Sequence, residues 1–171
     1  IRITKKINTN PVVVNTDTEH QHVFCLAKLM KEASPNLAAV ELKYEDPALW
    51  MYSSGTTGKP KGVVHSQKTV LAADKLMGEV LDVGPGDRIF SSSKLFFAFS
   101  LAHCLLAPIK LGATVILYPE WPDARAVIGV VQRYKPTIML SVPTFFRNLL
   151  RESISDSEDF KNIRYFITAG E

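Results

Sequence analysis

The segment 52–62, Tyr-Ser-Ser-Gly-Thr-Thr-Gly-Lys-Pro-Lys-Gly, packs five side-chain hydroxyls, three glycines and two lysines into eleven residues. That composition reads as a loop built around polyphosphate. Glycines without a Cβ let backbone N–H groups approach an anion closely, and Ser and Thr hydroxyls add donors that can turn toward phosphate oxygens or Mg²⁺. Lys59 and Lys61 add positive charge. The apolar run at 48–52 has strand length, and residues 62–66 lead into a helical pattern, so the loop is expected to leave a strand end and enter a helix. A P-loop NTPase needs Gly, four residues, then Gly-Lys-Ser/Thr; counting from Gly55 places Pro60 where the second glycine must stand, and that reading fails.

The bulk composition sets wider bounds. With 171 residues, 46% hydrophobic and 22% charged, the chain is long enough for one sizeable core and is ordinary for a soluble domain. A net charge of +3 is mild and its cations are scattered, so no nucleic acid partner is implied. The longest apolar stretch, 101–111, contains His103 and Lys110 and is too short to span a bilayer; no signal-peptide core follows the first residues. A cytoplasmic protein with no membrane insertion is expected. Cys25 and Cys104 sit in apolar surroundings without partner spacing, which fits reduced core thiols.

Residues 1–46 form a poorly specified lead-in, with a short apolar run at 11–14 and a candidate helix over 22–33. Asp46-Pro47 marks a break before a new strand. Ser66 is the expected N-cap of a helix running to about Val80, closed by the turn residues 82–87. Strands at 88–92, 113–118, 137–141 and 164–168 then alternate with helices at 101–111, 123–134 and from Pro143 onward. This alternation predicts an α/β fold, a mostly parallel sheet covered by helices, with ligands outside the carboxyl ends of the strands. The loop after Tyr52, the Phe-rich segment after Ser93 and the 169–171 end all follow predicted strands and could share one binding edge.

At these residues the chain resembles the adenylate-forming superfamily, which includes acyl-CoA and aryl-CoA synthetases, firefly luciferase and peptide-synthetase adenylation domains. The segment 52–62 is similar to that superfamily's phosphate-loop signature across eleven positions. The run 94–101, Lys-Leu-Phe-Phe-Ala-Phe-Ser-Leu, resembles a segment of benzoate-CoA ligases that carries Tyr and Gly where Phe99 and Ser100 stand here. Ser141-Val142-Pro143-Thr144 and Thr168-Ala169-Gly170-Glu171 resemble elements flanking the nucleotide site. The likeness covers about residues 47–171, a βα portion of the N-terminal adenylating domain.

The resemblance implies ATP, Mg²⁺ and CoA as reactants with a small carboxylic acid, aryl or related, as substrate. It implies that Ser53, Ser54, Gly55, Thr56, Thr57, Gly58 and Lys61 hold ATP and its departing pyrophosphate, while Lys59 is as readily a solvated surface lysine. Phe97 and Phe99 would line the acyl pocket, with core packing as the alternative, and Gly170 and Glu171 would border the adenine. Val142 and Pro143 read first as packing residues. No metal site is assigned: Glu19-His20-Gln21-His22 has metal-like residues, yet no completing set is evident. His65 could orient a phosphate or a neighbour, His103 reads as a satisfied core histidine, and Asp74, Glu79 and Asp87 read as solvated surface or turn residues.

The chain begins with Ile and stops directly after an apolar strand-like run. An excerpt of a longer protein is therefore expected, without the C-terminal catalytic domain and without a complete catalytic set, so that the piece alone is inactive. Other activities share the loop: an adenylation domain feeding a carrier protein, a luciferase-like oxygenase, or a non-catalytic nucleotide-binding module. The acid's identity and the oligomeric state are not legible at this level.

Overall fold

The computed structural model describes residues 14–15, 24–53, 58–152 and 158–170. The chain divides into two compact units, Ile1–Glu41 and Leu42–Glu171. In the first, β1 (Val14–Asn15) pairs in parallel with β2 (Phe24–Cys25), which runs into α1 (Leu26–Glu32). The helix expected over 22–33 therefore starts later, because residues 24–25 are spent on strand pairing; His22 and the rest of the Glu19–His22 cluster lie outside the described residues. No residue of α1 is buried.

The second unit opens with a hairpin, and here one expectation is corrected. Residues after the loop do not enter a helix directly: β3 (Pro47–Ser53) pairs antiparallel with β4 (Lys61–Ser66), so Val63 and Val64 serve a strand, where β-branched side chains pack well. The hairpin is a two-stranded sheet of its own. Its loop consequently does not leave a strand of the main parallel sheet, as the shared-edge expectation supposed.

Helix follows at Ser66, whose Oγ accepts from the Thr69 N–H as an N-cap, met as expected. Helical backbone then continues through α2 (Gln67–Leu71), a 3₁₀ turn (Ala72–Asp74) and a π turn (Lys75–Val80). Three βα steps and a last strand complete the unit: β5 (Arg88–Ser91), α3 (Ala98–Leu101) continued by a π turn into α4 (Ala107–Leu111), β6 (Thr114–Ile116), α5 (Ala124–Tyr134), β7 (Ile138–Ser141), α6 (Pro143–Arg151) and β8 (Tyr165–Thr168). Asp123 caps α5 by accepting from the Ala126 N–H at 2.8 Å, and Gly112 ends α4 at φ 73°, a left-handed conformation that favours glycine.

The four strands form one parallel sheet in the order β6-β5-β7-β8. Strand side chains alternate between faces, and the core divides accordingly. Phe90 and Met139 point to one side with Ile116, Val127, Val131 and Leu149; Ile89, Ile138 and Leu140 point to the other with Met77, Cys104 and Ala107. Helices α5 and α6 thus cover one face, while the helical stretches 67–80 and 98–111 cover the other. Among the described residues no helix is long and apolar enough to cross a membrane.

Asp87 departs from the solvated turn expected of it. It is 8% exposed and receives hydrogen bonds from Thr137 Oγ1 at 2.6 Å, the Gly84 N–H at 3.1 Å and Arg164. Parallel pairing brings the start of β5 beside the start of β7, with the start of β8 one strand further on, and Asp87 closes that end.

Candidate adenylation site

A chain order of β5, β6, β7, β8 laid out as β6-β5-β7-β8 sends the connection after β5 toward one edge and that after β7 toward the other, the place where open α/β sheets bind ligands outside the carboxyl ends of the strands. Buried serines cluster at these ends. Ser92 and Ser141, following and ending the two strands, share a hydrogen bond between their Oγ atoms, and the Ser92 N–H donates to the Leu140 carbonyl at 3.1 Å. Ser91 and Ser100 share a second buried bond at 2.9 Å, which anchors the start of the 98–111 helix to the strand; Ser91 Oγ also accepts from the Ser93 N–H. Composition offered one trace of this cluster, the Ser91-Ser92-Ser93 run ending an otherwise apolar strand, but pairing across forty-nine positions to Ser141 follows only from strand order.

These bonds fix the segment 92–97. Lys94 Nζ donates to the Tyr118 carbonyl at 2.9 Å and to that of Glu120, tying the segment to the chain after β6. The ammonium also lies 5.5 Å from the Trp121 ring centre. Phe97 is delivered as the residue preceding α3, 49% exposed, with its ring 4.5 Å from that of Phe96. Phe99 instead turns inward against the Met77 cluster and meets His103 edge-to-face at 5.7 Å. The two expected pocket phenylalanines therefore have different ring neighbours: one faces outward, the other joins the core.

The expected phosphate contacts divide likewise. Ser53 and Lys61 sit opposite each other at the loop end of the hairpin, both exposed, and Gly58 adopts φ 76°. Ser54, Gly55, Thr56, Thr57 and Glu171 lie outside the described residues. Gly170, two residues past β8, is exposed at φ 76° on the carboxyl side of the parallel sheet. Val142 and Pro143 begin α6 next to Ser141, with Pro143 at its first turn as expected.

Two cavities border this region. One of about 560 Å³ is lined by Ser91, Lys94, Phe96, Tyr118 and Trp121 among others. The second, about 290 Å³ and almost wholly apolar, is walled by Leu49, Met51 and His65 of the hairpin together with Ala98 and Leu101. It brings Met51, two residues before Ser53, to the same space as Ala98, the neighbour of Phe97. His65 opens onto this apolar wall.

His103 is not satisfied, contrary to expectation. Its Nδ1 is buried and has no hydrogen-bond partner among the described residues, and burial holds its pKa below the ordinary histidine value. Burial also pushes the neighbouring Cys104 thiol up to about 12. Among the described residues no group of three or more His, Cys, Asp or Glu is placed to hold a metal ion.

A family profile described as AMP-binding enzyme matches residues 3–171, and the chain belongs to that family. It is 48% identical over 135 residues to a 3-hydroxybenzoate-CoA/4-hydroxybenzoate-CoA ligase of Thauera aromatica, and 49% identical over 135 residues to a 3-hydroxybenzoate-CoA ligase of Aromatoleum sp. (strain CIB). Each alignment takes in 79% of this chain and 26% of the relative, so the chain spans about a quarter of their length. Among solved structures, an anthranilate CoA ligase in complex with anthranoyl-AMP superposes with a TM-score of 0.82 at 30% identity, over 94% of this chain and 31% of that one. The α/β fold is that of the N-terminal portion of these ligases.

Proposed function

We propose that the full-length protein carrying this chain is an ATP-dependent ligase that activates an aromatic carboxylic acid as its acyl adenylate and passes the acyl group to CoA. The observation that carries this reading is the 48% identity to the Thauera aromatica ligase, which takes in the hairpin loop and the Phe-rich segment. A hydroxybenzoate is the substrate class assigned.

In the first half-reaction a carboxylate oxygen attacks the α-phosphorus of ATP, the bond to the pyrophosphate oxygen breaks, and acyl-AMP forms. Negative charge accumulates on the departing pyrophosphate. Lys61 and the loop hydroxyls from Ser53 to Thr57 are assigned to hold it, with Gly58 turning the loop. In the second, the CoA thiol gives up its proton, its sulfur attacks the acyl carbon, and AMP leaves. Phe97 and Phe99 are assigned to the acid's pocket, Gly170 and Glu171 to the border of the adenine. Among the described residues no carboxylate cluster is placed to hold Mg²⁺.

The lead-in 1–46 and the βα portion 47–171 are assigned to one N-terminal adenylating domain, in a cytoplasmic protein. By this reading the chain alone turns over no acid. The test is to incubate full-length protein with ATP, CoA and 3-hydroxybenzoate and look for AMP and the aroyl-CoA thioester by mass; the absence of both with every aromatic acid tried would overturn the reading.

A further inference from the structure

A lysine near the surface ordinarily leaves its ammonium in water, because holding so long a side chain in one place costs rotamer freedom. Lys94 is held. It is half-buried, and its Nζ donates to the Tyr118 carbonyl at 2.9 Å and to the Glu120 carbonyl, acceptors that stand more than twenty positions along the chain. The same ammonium lies 5.9 Å from the Tyr118 ring centre and 5.5 Å from that of Trp121. What it borders is a cavity of about 560 Å³, lined by Lys94, Phe96, Tyr118 and Trp121 and floored by Ser91 and Ile116, the last residues of β5 and β6. That is the side of an open α/β sheet on which ligands bind. Phe96 and Trp121 meet edge-to-face at 6.1 Å, and the Phe96 ring lies 4.5 Å from that of Phe97. Neither wall ring is packed into the core: Phe96 is 65% exposed and Trp121 70%.

Resting on the function proposed above, we infer that Lys94 is a positioning residue: by tying residues 94–97 to residues 118–121 it holds Phe96 and Trp121 as the aromatic wall of this cavity, against which the ring of the aromatic acid packs. Two open rings on separate segments keep a fixed spacing only if something joins the segments, and the ammonium joins them through both carbonyls. ATP is assigned to the hairpin loop, on a two-stranded sheet of its own, and to Gly170 beyond β8, at the opposite edge of the parallel sheet from β6. CoA takes no part in adenylate formation. The acid is therefore the reactant left for a ring-lined space in that step, since aromatic rings pack well edge-to-face and offset-stacked. Lys94 touches no reacting atom. Its loss displaces the wall, and a misplacement of about 1 Å is enough to cost up to about 100-fold.

The test is steady-state ATP–pyrophosphate exchange by the full-length protein, with 3-hydroxybenzoate and ATP varied separately. Lys94→Met keeps the stem and loses the donors and the charge; it is expected to raise the acid's KM about tenfold or more while the KM for ATP stays within about threefold. Lys94→Arg, which keeps charge and donors, is expected to restore the acid's KM to within about threefold of wild type. Trp121→Leu, at an exposed position that leaves folding intact, is expected to raise the acid's KM in the same way, and combined with Lys94→Met to add less than the product of the two single effects, as residues acting through one wall should. Equal rises in both KM values, no change in either, or fully multiplicative effects in the double variant would overturn the inference while leaving the ligase reading intact. A wild-type protein that exchanges with no aromatic acid overturns both.

Discussion

Arg164 grips Asp87 at two points, Nη2 to Oδ2 at 2.7 Å and Nε to Oδ1 at 3.1 Å, and so joins the amino ends of β5 and β8 across the intervening β7. The same guanidinium donates to the carbonyls of Leu81 and Asp82, where Asp82 holds φ 50°. One arginine thereby fixes the turn that closes the 67–80 helical stretch and the sheet end that the turn feeds.

Arg164→Ala strands a carboxylate that is 8% exposed, and the expected loss is about 2 kcal/mol, read as a lowered Tm of the full-length protein. Burial pushes the Asp87 carboxyl up, but hydrogen bonds from Arg164, Thr137 and the Gly84 N–H outweigh it and hold the pKa below 3.8. A carboxyl with a lower pKa folded than unfolded contributes its stability in full above pH 3.8, and that contribution fades as pH falls toward the folded value. Asp87→Asn should therefore lower Tm at neutral pH and make far less difference at about pH 2. Equal shifts at both pH values would contradict this account.

The bond between Ser92 and Ser141 ties the carboxyl ends of β5 and β7. Ser141→Ala leaves the Ser92 hydroxyl buried and unpaired, at an expected cost of about 1–3 kcal/mol. Because Ser92 begins the segment that delivers Phe97, the acid's KM should rise more than that of ATP. Steady-state kinetics with each substrate varied separately would show the split.

Gly58→Ala isolates backbone conformation as a cause. Among the described residues no atom lies within 4 Å of a Cβ placed there, yet φ is 76°, so the expected penalty is that of the left-handed backbone, about 1–2 kcal/mol. The expected effect is a higher KM for ATP together with a Tm lowered by about a few degrees, measured on the full-length protein.

Lys61→Ala should reduce pyrophosphate exchange about 100-fold, as expected for loss of a group that stabilises the leaving charge. Lys59→Ala, read as a solvated surface lysine, should stay within about threefold. Comparable losses for both would show that charge in the loop, not the position of Lys61, is what matters.

Cys104, buried with its thiol near 12, should resist iodoacetamide at about pH 8 until the protein unfolds. Peptide mass mapping of native and denatured samples reads this directly.

Much of the fold was legible from local pattern. The alternation of strands with helices placed β5 to β8 and α5 within a few residues, since each carries its own period and cap, as Ser66 and Asp123 show. What escaped depended on partners far along the chain. Residues 62–66 continue an apolar run into a helix start, and only pairing with β3 makes them a strand. Asp87 looks like a turn aspartate until Arg164, seventy-seven positions later, is brought beside it. The candidate site was legible as motifs only, the hydroxyl-rich loop and the 94–101 run, and not as geometry: the opposite facing of Phe97 and Phe99, the serine pairs and the unpaired His103 nitrogen all arise from packing of the 98–111 helix on the sheet.

We propose that this chain forms part of an enzyme that makes an acyl adenylate from an aromatic acid, and ATP–pyrophosphate exchange reports that step without requiring CoA. Full-length protein assayed across benzoate, hydroxybenzoates, cinnamates and short aliphatic acids should exchange fastest with a hydroxybenzoate and form its CoA thioester when CoA is added. Exchange led by an aliphatic acid, or none with any acid, would contradict it.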